Sequence, residues 1–172
     1  MSGRPERNEA EAYYFRYIDR IPGDEILPVL ERQLDEALPL LSEVSEERSL
    51  HRYGSEKWSI RQVVNHVNDC ERLFLARAFW FARGFDTPLP SFDQNVSAAS
   101  SGADGVSWSR HLEELRAVRL DTLAFFRNLP EEAWTRSGIA SGYTFSVRAL
   151  AWLAAGHLDH HLAILRERYL AA

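Results

Sequence analysis

The sequence lacks the features that mark disulfide-rich, nucleic-acid-binding, membrane and secreted proteins. A single cysteine, Cys70, among 172 residues excludes an internal disulfide framework and is typical of a reducing compartment. The net charge of −5 and the lack of a basic stripe give no footprint for nucleic acid. No stretch approaches the roughly 18 apolar residues of a membrane span, and the N-terminus lacks the apolar core of a signal peptide. We therefore expect a cytoplasmic protein with no nucleic-acid or membrane partner.

The length and composition are those of one globular unit. A chain of 172 residues that is 45% hydrophobic and 26% charged suits a single domain with one proper core. We therefore predict one domain over 1–172, in which 1–20 form an N-terminal extension. Within it, 1–8 are polar and are expected to fray. The aromatic residues of 9–19 are expected to lie on the body of the protein.

Leucines recur at helical spacing in the first long segment after this extension. Asp24 can cap a helix there, and Pro28 falls in the first turn, where a missing N–H does no harm. Pro39 should kink or end this helix. The apolar stripe consists of Leu27, Leu30, Leu34, Leu38 and Leu41.

Three further helices are predicted by the same spacing. Ser59 and Gln62 have the spacing of a capping box, which marks the start of the second helix. Two stretches show no period, and no convincing strand is found, so the fold class is all-α: a four-helix bundle. The long connection after the second helix argues against a simple up-down-up-down order. The predicted helices are about 59–83, 107–128 and 146–169, and the connections are 84–105 and 130–143.

Three of the six histidines lie close together on the fourth helix. His157 and His161 are four residues apart, so they lie on the same face, about 40° apart at 100° per residue. His160 points further toward the outside. The surrounding run is apolar, so the pair is buried. Either both are core histidines with separate polar partners, or they share a metal ion, which satisfies both at once.

A further ligand has to come from another helix, and His66 on the second helix is the candidate. Asp69, one turn later, can orient its imidazole by accepting the other N–H. Cys70 is a second candidate ligand, although a lone cysteine on the apolar stripe of a helix is more often a small core residue. The competing interpretation of His66 is a solvated side chain on a polar face. We expect His51 and His111 to face solvent.

Three imidazoles with an open position are typical of a catalytic metal site, because structural zinc sites are closed by four protein ligands. Such an ion can activate water, polarise a carbonyl or stabilise a thiolate. Imidazole ligands suit Zn, Ni, Fe or Cu, so the residues do not select the metal. Candidate helpers are Asp69 for orientation, and Tyr143, Asp93 or Arg77 for a substrate.

The chain resembles the DinB superfamily of small metal-binding helical bundles. The resemblance covers roughly residues 24–168 and depends on a combination of short motifs in the right order. The most specific are a Trp-Ser helix start, a histidine seven residues after that serine, and a late Gly-His-x-x-His-His. The motifs are Lys57–Gln62, His66–Glu71, Leu89–Asp93, Leu129–Trp134, Ser146–Ala149 and Gly156–His161.

This resemblance implies a four-helix bundle with a long crossover after its second helix, usually dimeric. It also implies a divalent metal held by His66, His157 and His161. The superfamily includes transferases and isomerases that use bacillithiol, mycothiol or glutathione, and proteins proposed as metal-dependent hydrolases.

Three functional hypotheses follow. The first is an enzyme whose metal ion (Zn, Ni or Fe) activates water or a low-molecular-weight thiol for transferase or hydrolase chemistry on a small molecule. The second is a non-catalytic metal-binding homodimer with a structural or sensor role, which a fourth protein ligand or the lack of an adjacent cavity would favour. The third is a bundle whose histidines are ordinary core residues, which a His66 far from the pair would favour.

Overall fold

Four long helices form the body of the computed structural model, which describes residues 3–171. Two short helices and a two-stranded hairpin lie between or before them. A π-helical turn, Leu165–Leu170, extends the last helix. The elements are α1 (Phe15–Ile18), α2 (Ile26–Ser42), α3 (Ile60–Ala82), α4 (Gln94–Ser100), α5 (Trp108–Arg127), β1 (Ser137–Ala140), β2 (Tyr143–Ser146) and α6 (Val147–Ile164).

The long helices form a four-helix bundle in which consecutive helices are not always neighbours. Both α2 and α3 pack against α5 and α6, and the α3–α6 interface is the most extensive. Neither α2 with α3 nor α5 with α6 forms a comparable interface, so each of these pairs occupies opposite corners. This arrangement confirms the predicted four-helix bundle with a long connection after its second long helix, and it places α3 directly against α6.

The predicted helix starts are mostly found. Ser59 and Gln62 form both halves of a capping box at the start of α3, which satisfies two backbone N–H groups that have no partner within the helix. The predicted cap of the first long helix is wrong, because α2 begins after Glu25 without any side-chain cap. Pro39 lies within α2, and the helix ends three residues later at Ser42.

The two predicted loops contain regular structure. The second holds the antiparallel pair β1–β2, which corrects the prediction that the chain has no strand. Its two-residue turn needs positive φ at Ser141 (55°) and at Gly142 (82°), as in the primed turns that suit hairpins. The first loop contains α4, which Asp93 caps by accepting hydrogen bonds from the N–H groups of Asn95 and Val96.

The described part of the N-terminal extension is fastened to the bundle. α1 packs along α6, and the Glu9 carboxylate accepts hydrogen bonds from Ser146 and Arg148. Arg4 donates to the carbonyl oxygens of Ile18 and Ile21. The expected fraying of 1–8 is therefore wrong for 3–8, while residues 1 and 2 lie outside the described part. Within 3–171 no helix is long and apolar enough to cross a membrane.

Candidate metal centre and its cavity

His157 and His161 lie one turn apart on α6, at the interface with α3. Their Nε2 atoms are 3.2 Å apart. His157 is buried and His161 is partly buried. The helix begins at Ser146, whose side chain accepts a hydrogen bond from the N–H of Ala149, and its first three turns are almost wholly buried. Both imidazoles therefore sit where the apolar part of α6 meets another helix.

His66 brings a third imidazole to the same point from α3. Its Nε2 atom lies 3.2 Å from Nε2 of His157, and its ring centroid is 4.9 Å from that of His161. The side chain is 3% exposed. One nitrogen from each histidine lies within 4.8 Å of one from each of the others, so the three side chains form a compact group across the α3–α6 interface.

Hydrogen bonds alone leave this group incompletely satisfied. A neutral imidazole has one N–H donor and one acceptor nitrogen, so Nε2 of His157 cannot donate to one neighbour and accept from the other. Nδ1 of His161 is buried and has no hydrogen-bond partner among the described residues. Zn–N bonds of about 2.0–2.1 Å in a tetrahedral site separate ligand atoms by about 3.3 Å, close to the 3.2 Å separations seen here. The donor set therefore fits a divalent ion.

Burial keeps the three imidazoles neutral. Desolvation lowers the pKa of His66 to about 4 and that of His161 to about 3. The pKa of His157 is lowered well below its usual value by burial, and then by the neighbouring histidines. A neutral imidazole has a free lone pair, which is the form that binds a metal ion.

The other three histidines lie outside this group. The ring of His160 packs against Tyr17, with centroids 5.3 Å apart. His51 is exposed, as predicted. The prediction for His111 is wrong: it is 1% exposed, and its Nε2 atom lies 2.9 Å from the carbonyl oxygen of Ala103. The turn that covers it, Ala103–Gly105, belongs to the connection before α5.

Asp69 and Cys70 lie beside the histidines, but Asp69 bonds to other residues and Cys70 lies outside the three-histidine group. One carboxylate oxygen of Asp69 accepts hydrogen bonds from Asn65 (3.0 Å) and Ser97 (2.8 Å), so this side chain ties α3 to α4 and does not orient His66. Sγ of Cys70 lies 3.6 Å from Nδ1 of His66. Burial raises the pKa of the Cys70 thiol to about 12, and the side chain is not part of the three-histidine group.

A cavity of about 540 Å³ opens beside the histidines, with His157 in its wall. The connection before α4 and the hairpin turn contribute Asp93 and Ser141. The carboxylate of Asp93 is already engaged as the cap of α4. Tyr143 lies on β2 with 48% of its surface exposed and is not among the lining residues. The rest of the lining is Tyr13, Tyr14, Tyr17, Cys70, Leu73, Phe74, Arg77, Ser91, Phe92 and Gln94.

Tyr17 is a site residue that the sequence did not single out. Its ring packs edge-on against His157 with centroids 5.5 Å apart, and burial raises its pKa to about 12. Its backbone approaches α6 so closely that a Cβ at Gly156 would lie 2.2 Å from the Tyr17 carbonyl oxygen. The glycine directly before His157 was the available signal, because a glycine within a buried helix often marks a close backbone approach.

Comparison with known proteins agrees with this architecture. The structure of YfiT from Bacillus subtilis, described as a probable metal-dependent hydrolase with an unusual four-helix bundle topology, superposes with a TM-score of 0.72 at 20% identity, over 95% of this chain and 89% of that one. A mycothiol-dependent maleylpyruvate isomerase superposes with a TM-score of 0.66 at 18% identity, over 84% of this chain. The match spans only 61% of the isomerase. At these identities the likeness shows the fold.

The sequence itself decides the family. A search of curated proteins found no match. The family model described as the DinB superfamily, however, matches residues 29–165. This range contains the three-histidine group, all of α3 and α5, and α6 to its last residue. The chain therefore belongs to the DinB superfamily.

Proposed function

We propose that this protein is a metal-dependent enzyme in which His66, His157 and His161 hold a divalent ion beside a substrate cavity. The observation that supports this most directly is the convergence of three Nε2 atoms, two pairs of which are 3.2 Å apart, next to a cavity of about 540 Å³. Zn, Ni and Fe all suit three imidazoles.

A divalent ion with three imidazole ligands and an open position activates a water molecule or a thiol. The chain's own residues form the environment of the ion site. Neutral imidazoles provide lone pairs, and the apolar packing of α3 against α6 excludes bulk water. Tyr17 covers His157, and the cavity gives a small molecule access to the site. We infer transferase or hydrolase chemistry on a small-molecule substrate.

The solved structures support both choices of nucleophile. One is described as a probable metal-dependent hydrolase, which uses water, and the other as mycothiol-dependent. A low-molecular-weight thiol is the nucleophile we favour for a transferase, because the only cysteine of this chain, Cys70, is buried.

The alternative is a non-catalytic homodimer in which the ion is structural or sensory. A structural site would be expected to have four protein ligands. Among residues 3–171 the group that could hold an ion consists of three histidines, and a cavity reaches one of them. Both observations favour the enzyme. A homodimer and a cytoplasmic location are further predictions, from the family resemblance and the single cysteine respectively.

The test is a turnover screen on untagged, metal-loaded protein. Bacillithiol, mycothiol and glutathione are each offered with 1-chloro-2,4-dinitrobenzene and styrene oxide, and p-nitrophenyl esters test hydrolysis. We expect turnover that chelation abolishes and that His161→Ala lowers by about 100-fold or more, because the activating ion is lost.

The matched control is His160→Ala, which removes the adjacent imidazole outside the group and should retain activity. Turnover that is equal in the His161→Ala and wild-type proteins would contradict the proposal. So would a fourth protein ligand in a spectroscopic study of the loaded site.

A further inference from the structure

Arg77 is a buried cation that has no counter-ion among the described residues. Its side chain is 3% exposed. Nη2 donates to the carbonyl oxygen of Pro90 at 3.1 Å and to Oγ of Ser141 at 2.8 Å, so both partners are neutral. Nε is buried and has no hydrogen-bond partner among the described residues. Within 3–171 no carboxylate forms an ion pair with this guanidinium.

The other two buried arginines of the described chain show that this is exceptional. Arg119 forms an ion pair with Glu71, and Arg61 forms one with Glu46. Burying an unpaired charge is costly, and removing one partner of a buried pair typically destabilises a protein strongly. Among the described residues, the protein pairs two buried arginines with carboxylates and does not pair Arg77. The charge of Arg77 is therefore available to an anionic ligand.

The position of Arg77 indicates where such a ligand would lie. It lines the same cavity as His157 and follows Cys70 on α3 by two helical turns, a rise of about 10 Å. The crossover connection and the hairpin turn reach the guanidinium through Pro90 and Ser141, and these contacts fix its orientation. A small molecule in the cavity can therefore contact Arg77 at one end and approach His157 at the other.

We propose that the cavity binds a small organic carboxylate, whose carboxylate group pairs with Arg77 while its apolar body lies against Phe74 and Phe92. This inference deepens the proposed function by naming the class of substrate, and it rests on that function. Both hydrogens of Nη2 are donated to Pro90 and Ser141, which leaves Nη1 to donate to the carboxylate, and such charge-assisted bonds are strong where water is excluded.

A single negative charge fits better than a phosphate. Arg77 is the only cation among the described residues that line the cavity, so one formal positive charge is available at this end. The other polar groups of the lining are hydroxyls, the Cys70 thiol, the amide of Gln94 and the imidazole of His157, which are neutral, and Asp93, whose carboxylate would repel a dianion more strongly than a monoanion.

The test uses three pairs of probes that differ only in charge. Benzoate, phenylacetate and 3-phenylpropanoate are each compared with the corresponding primary amide by calorimetric titration, with the protein both metal-loaded and metal-free. We expect at least one acid to bind wild type about tenfold or more tighter than its amide. Arg77→Met should abolish that preference. The control Arg83→Met, at an exposed arginine stacked on Phe79, should keep it.

Three results would overturn the inference. One is no preference for any acid in wild type, and another is a preference that survives in Arg77→Met, which would place the carboxylate on the metal instead. The third is tighter binding of inorganic phosphate than of all three acids. If Arg77→Met does not fold, Arg77→Gln replaces it, because glutamine removes the charge and keeps a polar end. A preference for the acid that survives in Arg77→Gln would then count against the inference.

Failure of the proposed function is recognised separately. A wild-type protein that binds no metal contradicts the metal-dependent enzyme, whatever the titrations show. A protein that binds metal without discriminating acid from amide contradicts only the carboxylate assignment.

Discussion

Two buried polar clusters in the bundle differ in how completely their polar groups are paired. The closed cluster consists of Gln33, Glu71 and Arg119, where α2, α3 and α5 meet. Arg119 donates to both oxygens of Glu71 at 2.7 and 2.8 Å and to Gln33 at 2.9 Å, and Gln33 donates to the carbonyl oxygen of Ala155 at 2.8 Å. The open cluster consists of His66, His157 and His161, whose nitrogens face one another.

The closed cluster shows that α3 can carry a buried charge that is fully paired. Glu71 lies on the same helix as His66, only five residues later, and its charge is fully paired. In the open cluster, Nε2 of His157 lies 3.2 Å from Nε2 of His66 and 3.2 Å from Nε2 of His161, and one imidazole nitrogen cannot donate to one neighbour and accept from the other. A divalent ion that takes the lone pairs of all three Nε2 atoms would satisfy this arrangement, which is the physical basis of the proposed function.

The largest expected effect comes from breaking the closed cluster. Arg119→Met leaves Glu71 buried without its partner, which should lower the free energy of unfolding by about 3–5 kcal/mol. Urea denaturation of the metal-free protein measures this loss. The matched double variant Glu71→Met/Arg119→Met removes both charges and should recover most of the stability. A loss below about 1 kcal/mol, the range of an exposed ion pair, would show that the cluster is not closed.

For each pH unit, a smaller loss of stability is expected from acid on the open cluster. The folded-state pKa values of His66 (about 4) and His161 (about 3) lie below the usual value of 6.5, so the unfolded chain binds protons first as pH falls. The stability of the metal-free protein is therefore unaffected by these groups above about pH 6.5. It then falls by about 1.4 kcal/mol per pH unit for each histidine down to the folded pKa.

Urea denaturation of the metal-free protein between pH 7 and 4.5 checks this slope. His66→Gln should reduce the slope, because it removes one of the titrating groups, whereas His51→Gln, at an exposed histidine, should leave it unchanged. An unfolding free energy that stays constant over this range in wild type would show that the imidazoles are not desolvated.

The four long helices could be predicted because each has a local signal. Leucine spacing marks α2, and the Ser59 capping box marks α3. The relation of His157 to His161 also follows from helical geometry alone. His66, on the neighbouring helix α3, was a candidate ligand because it lies beside the apolar stripe of that helix. Its distance from the pair depends on how α3 packs against α6, which local spacing does not determine.

The features that were missed depend on contacts between distant segments. The strand Ser137–Ala140 is too short and too rich in small residues to show alternation, and the hairpin is held by pairing with Tyr143–Ser146 and by hydrogen bonds to Leu89. His111 is buried by a turn that precedes its helix. The ion pair of Glu71 with Arg119 has no local signal in the sequence, because either charge alone gives no indication of a buried partner 48 residues away.

The most direct test of the account is metal analysis of the wild-type protein purified without a histidine tag and then exposed to Zn, Ni and Fe(II). The account predicts about one divalent ion per chain, retained in His160→Ala and lost in His66→Ala, which removes the one ligand contributed by α3. A folded wild-type protein that retains none of these metals would contradict the account, because the three histidines would then be ordinary core residues.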